Sequence, residues 1–160
     1  MDWEQRVTQL WATFDDHDAD EFLAKVQGLV AERPAGDAAA LFEHACAQDS
    51  TGHPEQAAPL YRRALAIGLT GLRRRRAVIQ LSSTLRNLGQ AQESVALLTK
   101  ERDAPSDELD DAVVATLALA LADTGHERKA LSLALIALAR HLPRYNRSMT
   151  NYARALTERV

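Results

Sequence analysis

The chain has 160 residues but one cysteine, three lysines and only 5 % aromatic residues. A lone Cys46 excludes an internal disulfide and any paired-cysteine metal site. No apolar run reaches the roughly 18 residues of a membrane-spanning helix, so no membrane span is expected. The start, Met1-Asp2-Trp3-Glu4, is acidic and carries no basic stretch ahead of an apolar one. A secretory leader is therefore not expected, and the expected compartment is the cytoplasm. No segment alternates apolar and polar residues between turn signals, which excludes strands. Phosphate-binding glycine loops, dinucleotide fingerprints and serine elbows are missing too, and nothing points to an enzyme or a cofactor.

What is present favours helix. Alanine and leucine, 29 and 23 residues, fill about a third of the chain, and both are strong helix formers. Arginine outnumbers lysine 16 to three, a bias that, with the alanine, suggests GC-rich coding and a bacterial source. The length fits a single domain or one short array of repeats. Apolar periodicity predicts helices over 2–14, 18–33, 37–51, 54–67, 71–88, 90–102, 107–124, 126–141 and 144–159. Asp37 suits an N-cap. Pro54 suits a first helical turn, whereas Pro59 lies beyond it and predicts a slight kink or a late start.

The helices recur in pairs. Gly52, Gly89 and Gly125 each separate two helical stretches, 37 and 36 residues apart. Five residues after each stands a small residue, Ala57, Ser94 or Ala130, and four further on Tyr61, Leu98 or Ala134. Before each glycine, at matching offsets, stand Leu41, Val78 and Val114, then His44, Leu81 and Leu117, then Ala45, Ser82 and Ala118. Small residues let antiparallel helices approach closely, and glycine supplies a left-handed turn between them. One such pair cannot bury its apolar face alone, but stacked pairs can.

This pattern resembles the tetratricopeptide repeat. Gly52-His53-Pro54-Glu55-Gln56-Ala57-Ala58-Pro59-Leu60-Tyr61-Arg62-Arg63-Ala64-Leu65 looks like the second half of that repeat, and Pro before Leu-Tyr recurs in repeats similar to those of kinesin light chain. Residues 78–89 resemble a short bacterial tetratricopeptide family. The chain departs from the family where a bulky residue near the repeat start is Leu or Val, and where Ser94 and Glu101 stand in place of Ala. The resemblance implies an all-α, right-handed α-solenoid of antiparallel helix pairs: a degenerate pair over 1–36, repeats over 37–71, 72–106 and 107–143, and a capping helix over 144–160. In the degenerate pair His17 replaces the turn glycine, and Pro34 closes it.

The resemblance further implies a concave groove lined by first helices. Mapped onto this chain, that face holds Phe42, Cys46 and Asp49, then Arg76, Ile79, Ser83 and Arg86, then Ala112, Ala115, Leu119 and Ala122. Such a groove suits a protein or peptide partner, with Arg76 and Arg86 offering forked donors to a carboxylate. Phe42 and Cys46 stand where the family's chaperone-tail clamp needs Lys and Asn, so that activity is not expected. The alternative is a structural or self-assembling protein whose groove is filled by residues 144–159.

Charge is unevenly spread. Residues 1–60 carry −9, 61–100 carry +7, 101–127 carry −7 and 128–160 carry +6, leaving a net −3. Alternating blocks suit contact between consecutive repeats; an acidic first block and a basic last one also suit a homo-oligomer. Arg73-Arg74-Arg75-Arg76, with Arg62, Arg63 and Arg86, offers a third reading as an anion or nucleic-acid adaptor. Against it, four consecutive helical residues point around the whole circumference, and no aromatic residue between Arg62 and Arg144 provides a stacking platform. Asp16, Asp18 and Asp20 have the spacing of a calcium loop, but Glu21 and Gln27 occupy its glycine and glutamate positions. That run reads as a turn and N-cap. The five histidines are scattered, and no metal site is expected. Cys46 lies in an apolar helix and reads as a packing or groove residue.

Overall fold

A computed structural model describes residues 1–158. These form nine α-helices and one 3₁₀ turn, with no strand among the described residues. The helices are α1 (Trp3–Ala12), α2 (Ala19–Ala31), α3 (Ala38–Ser50), α4 (Pro54–Ala66), α5 (Gly71–Asn87), α6 (Ala91–Arg102), α7 (Asp110–Asp123), α8 (Glu127–Ala139) and α9 (Asn146–Glu158). The chain divides into two compact units, Met1–Thr84 and Leu85–Val160. The periodicity located every helix, with ends a few residues longer than observed.

Local chemistry sets the ends. Asp2, Asp18 and Asp37 each accept the backbone N–H three residues on, at 2.8, 2.8 and 2.9 Å. Each thereby satisfies one of the amides that a helix start leaves unpaired. Asp2 and Gln5 bond reciprocally, a capping box. Burial opposes ionisation of Asp37, but the Ala40 N–H and the Arg33 guanidinium outweigh it and hold its carboxyl below the usual range. Pro54 opens α4 and Pro59 lies inside it, so the helix has no late start.

The three repeat glycines are in the left-handed region, with φ of 84°, 76° and 79°. The residue after each donates to the carbonyl five residues back: His53 to Gln48 at 2.8 Å, Gln90 to Leu85 at 2.7 Å and His126 to Leu121 at 2.8 Å. This is one turn built three times, closing the carbonyls that a helix end leaves open. In two copies the side chains repeat as well. Thr51 and Thr124 each bond back to the carbonyl four residues earlier and sit against Nδ1 of His53 and His126. The α1–α2 connection lacks glycine and is made differently, by a 3₁₀ turn over Phe14–Asp16 that leaves His17 extended.

In the first unit α2 packs on α3 and α3 on α4. Trp11, Phe14 and Phe22 form an aromatic cluster with centroids 4.7 to 5.9 Å apart. Helix α3 is buried nearly all round, from Ala40 through Gln48 with only His44 half-buried, which identifies it as a central helix. In the second unit α6 packs on α7, α7 on α8, and α8 on α9. Val113, Leu117, Ala118, Ala120 and Leu121 make the inner face of α7. Ala153 is the fully buried residue of α9, and Arg128 Nε donates to the Leu156 carbonyl near its end.

Candidate functional site

Helices α3 and α5 meet along a register of three pairs. The Arg76 guanidinium lies 5.1 Å from the Phe42 ring centroid, the Cys46 thiol donates to Gln80 Oε1 at 3.3 Å, and Thr84 Oγ donates to Asp49 Oδ2 at 3.0 Å. The α5 partners recur every four residues and climb with the α3 residues, so the two helices run in the same direction. That is the relation expected of first helices in successive pairs.

The register covers part of the expected groove face. Phe42 and Cys46 are buried, and neither side chain is open to a partner. The cause is α5, whose Arg76 and Gln80 cover the face of α3 that would otherwise line a groove. Asp49 is half-buried and also accepts from Tyr61 Oη at 3.4 Å. Burial pushes its carboxyl above the ordinary range, and the hydrogen bonds from Thr84 and Tyr61 offset only part of that. Burial likewise pushes the Cys46 thiol up to about 12, which excludes a thiolate nucleophile near neutral pH. Gln80 and Thr84 were not among the expected residues; their four-residue spacing from Arg76 was the available signal.

On the outer side of α5, Arg76 is exposed and Ile79 and Ser83 are half-buried. In the second unit, Arg86 Nε is 2.5 Å from Asp123 Oδ2, which commits part of its fork. Helix α7 presents a stripe of Ala115, Leu119 and Ala122, all exposed, with Ala112 half-buried. Leu119 is 54 % exposed, a large apolar side chain left open on an otherwise well-packed helix.

The four-arginine run is spent inside the first unit. Arg73 donates to both carboxylate oxygens of Glu4 on α1 and, through Nε, to buried Glu43 at 3.0 Å; Glu43 also accepts Trp11 Nε1 at 2.8 Å. Its guanidinium carbon lies 5.9 Å from the Trp3 ring centroid, and Arg33 stands 5.2 Å from the same ring. Arg75 is buried, and Arg76 lies over Phe42. The run thus ties α1 and α3 to α5 and presents no continuous cationic stripe.

Among the described residues, no three His, Cys, Asp or Glu side chains are grouped to hold a metal ion. No helix there is long and apolar enough to cross a membrane.

No curated protein and no solved structure matches the chain. The family model for the tetratrico peptide repeat matches residues 38–156, about three quarters of the chain, from the first residue of α3 into α9. With its thrice-built glycine turn and the parallel register of α3 and α5, the chain belongs to the tetratricopeptide repeat family.

Proposed function

We propose that the chain is a non-catalytic scaffold that binds a protein or peptide segment on the exposed faces of its first helices. The repeats run over 37–71, 72–106 and 107–143, with a degenerate pair before them and α9 as the cap. The observation that carries this reading is the open stripe of Ala115, Leu119 and Ala122 on α7. Small residues there let a partner backbone come close, and Leu119 offers the apolar anchor. In the first unit Arg76, Ile79 and Ser83 contribute a second face, where the exposed edge of the Arg76 guanidinium can meet a carboxylate while the group stacks over Phe42.

The self-filled alternative has less support. Helix α9 packs on α8, and Leu119 stays exposed. The nucleic-acid alternative also loses ground, because Arg73 and Arg75 are taken up by internal packing.

Selection of a random peptide library displayed on phage tests the proposal. Wild type should enrich peptides with a shared apolar anchor, and Leu119→Asp or Ile79→Asp should lose them while circular dichroism stays unchanged. Enriched peptides that bind both variants as well as wild type, or no enrichment at all, would refute it.

A further inference from the structure

Helix α9 has an outer face that no described residue neutralises. Arg147, Asn151 and Arg154 recur at intervals of four and three residues along α9, Arg144 stands just before its first turn, and all four are exposed. Arg6, Arg33, Arg73, Arg86 and Arg140 each hold a carboxylate. Arg144, Arg147 and Arg154 hold none among the described residues. Glu158 is the only acidic residue of α9. Beside the arginines stand Tyr145 and Tyr152, 74 % and 71 % exposed. Tyr145 also has φ of 69°, in the left-handed region that a bulky residue rarely adopts. That backbone position opens α9, where the Tyr145 carbonyl accepts from the Met149 N–H at 2.9 Å and the Ser148 hydroxyl at 3.1 Å, while its ring stays exposed.

The complementary surface is in the same chain. The α1–α2 connection and the start of α2 expose Asp15, Asp16, Asp18 and Asp20. Asp18 caps α2. The neighbouring basic side chains, His17 and Lys25, both turn to Glu21, at 3.3 Å each. Asp15, Asp16 and Asp20 are left with no ion pair among the described residues.

We propose that the outer face of α9 docks the acidic α1–α2 connection of a second copy of this chain. Three guanidinium forks meet three carboxylates, and the two tyrosine rings cover the contact. The two surfaces differ, so the contact is heterologous, and it closes a ring or extends according to the rotation it imposes. Exposed ion pairs of this sort are individually weak and are screened within about 10 Å at moderate salt. The assembly is therefore concentration-dependent and confined to low ionic strength. It does not depend on the peptide-binding surface of α5 and α7.

Sedimentation velocity on the full chain, across a concentration series at about 20 mM and about 500 mM salt, tests this. At low salt the weight-average mass should rise at least twofold with concentration, and at high salt it should return to the monomer. Arg144→Glu/Arg147→Glu/Arg154→Glu and Asp15→Arg/Asp16→Arg/Asp20→Arg should each be monomeric alone, with wild-type circular dichroism. An equimolar mixture of the two should associate again, because one keeps the acidic connection and the other keeps the basic α9. A wild type that stays monomeric at low salt overturns the proposal, as does a mixture that fails to associate. So does a self-association untouched by both variants. Binding of a poly-glutamate peptide or single-stranded DNA to a wild type that remains monomeric would assign α9 to another acidic partner and equally overturn it.

Discussion

Ser94 occupies the position, five residues after the repeat glycine, that Ala57 and Ala130 fill in the other two pairs. It is fully buried on α6, and its hydroxyl has no hydrogen-bond partner among the described residues. Replacing it by alanine removes a hydroxyl desolvated without compensation, which costs about 1–2 kcal/mol. Alanine also gains up to about 0.5 kcal/mol of helix propensity. The void left by one oxygen, far smaller than a deleted methylene series, returns well under about 1 kcal/mol. Ser94→Ala should therefore stabilise the protein by about 1–1.5 kcal/mol. That is a rise in Tm of about 2–6 °C for a chain of this size. The reciprocal change, Ala57→Ser, puts a hydroxyl into the equally buried site on α4 and should destabilise by a similar amount. Urea unfolding followed by circular dichroism reads both, with the slope unchanged. A lower midpoint for Ser94→Ala would refute the reasoning, since the hydroxyl would then have a partner worth more than its desolvation.

Three further outcomes follow from the first unit. Asp49→Asn keeps an oxygen to accept from Thr84 and Tyr61 while removing a half-buried charge. The folded-state pKa of Asp49 is raised, so wild-type stability declines as pH rises from the ordinary carboxylate value through that raised value, then levels off. The variant lacks this decline, and its advantage in urea midpoint should grow between about pH 4 and neutrality. Cys46, with its buried thiol pushed up to about 12, should resist iodoacetamide in native buffer at pH 8 and react fully in about 6 M guanidinium; rapid native labelling would contradict its burial. Arg73→Met strands the buried Glu43 carboxylate and should cost about 2–4 kcal/mol in urea unfolding. Adding Glu43→Gln, which still accepts the Trp11 N–H, should recover much of that loss.

How far the sequence reaches can be judged from α3 and α5. Aspartate caps, left-handed glycines and prolines at helix starts act through neighbours a few residues away, so Asp18, Asp37, Gly52, Gly89 and Gly125 were legible before any coordinates. Ala115, Leu119 and Ala122, expected from the family resemblance on one face of α7, are all exposed there. The burial of Phe42 and Cys46 is not legible in the same way, because it depends on Arg76 and Gln80, 34 residues away in each case. The same holds for the arginine run. Nothing local distinguishes Arg73, which reaches Glu43 across 30 residues and Glu4 across 69, from the solvated arginines of α9. One signal was nonetheless available. Residues 38–42 and 45–47 are Ala-Ala-Ala-Leu-Phe and Ala-Cys-Ala, apolar on every side of the helix. A first helix that keeps one face for a partner needs a polar or small stripe there, as α7 has. A helix apolar all round has no side to spare, and α3 is buried on all of them.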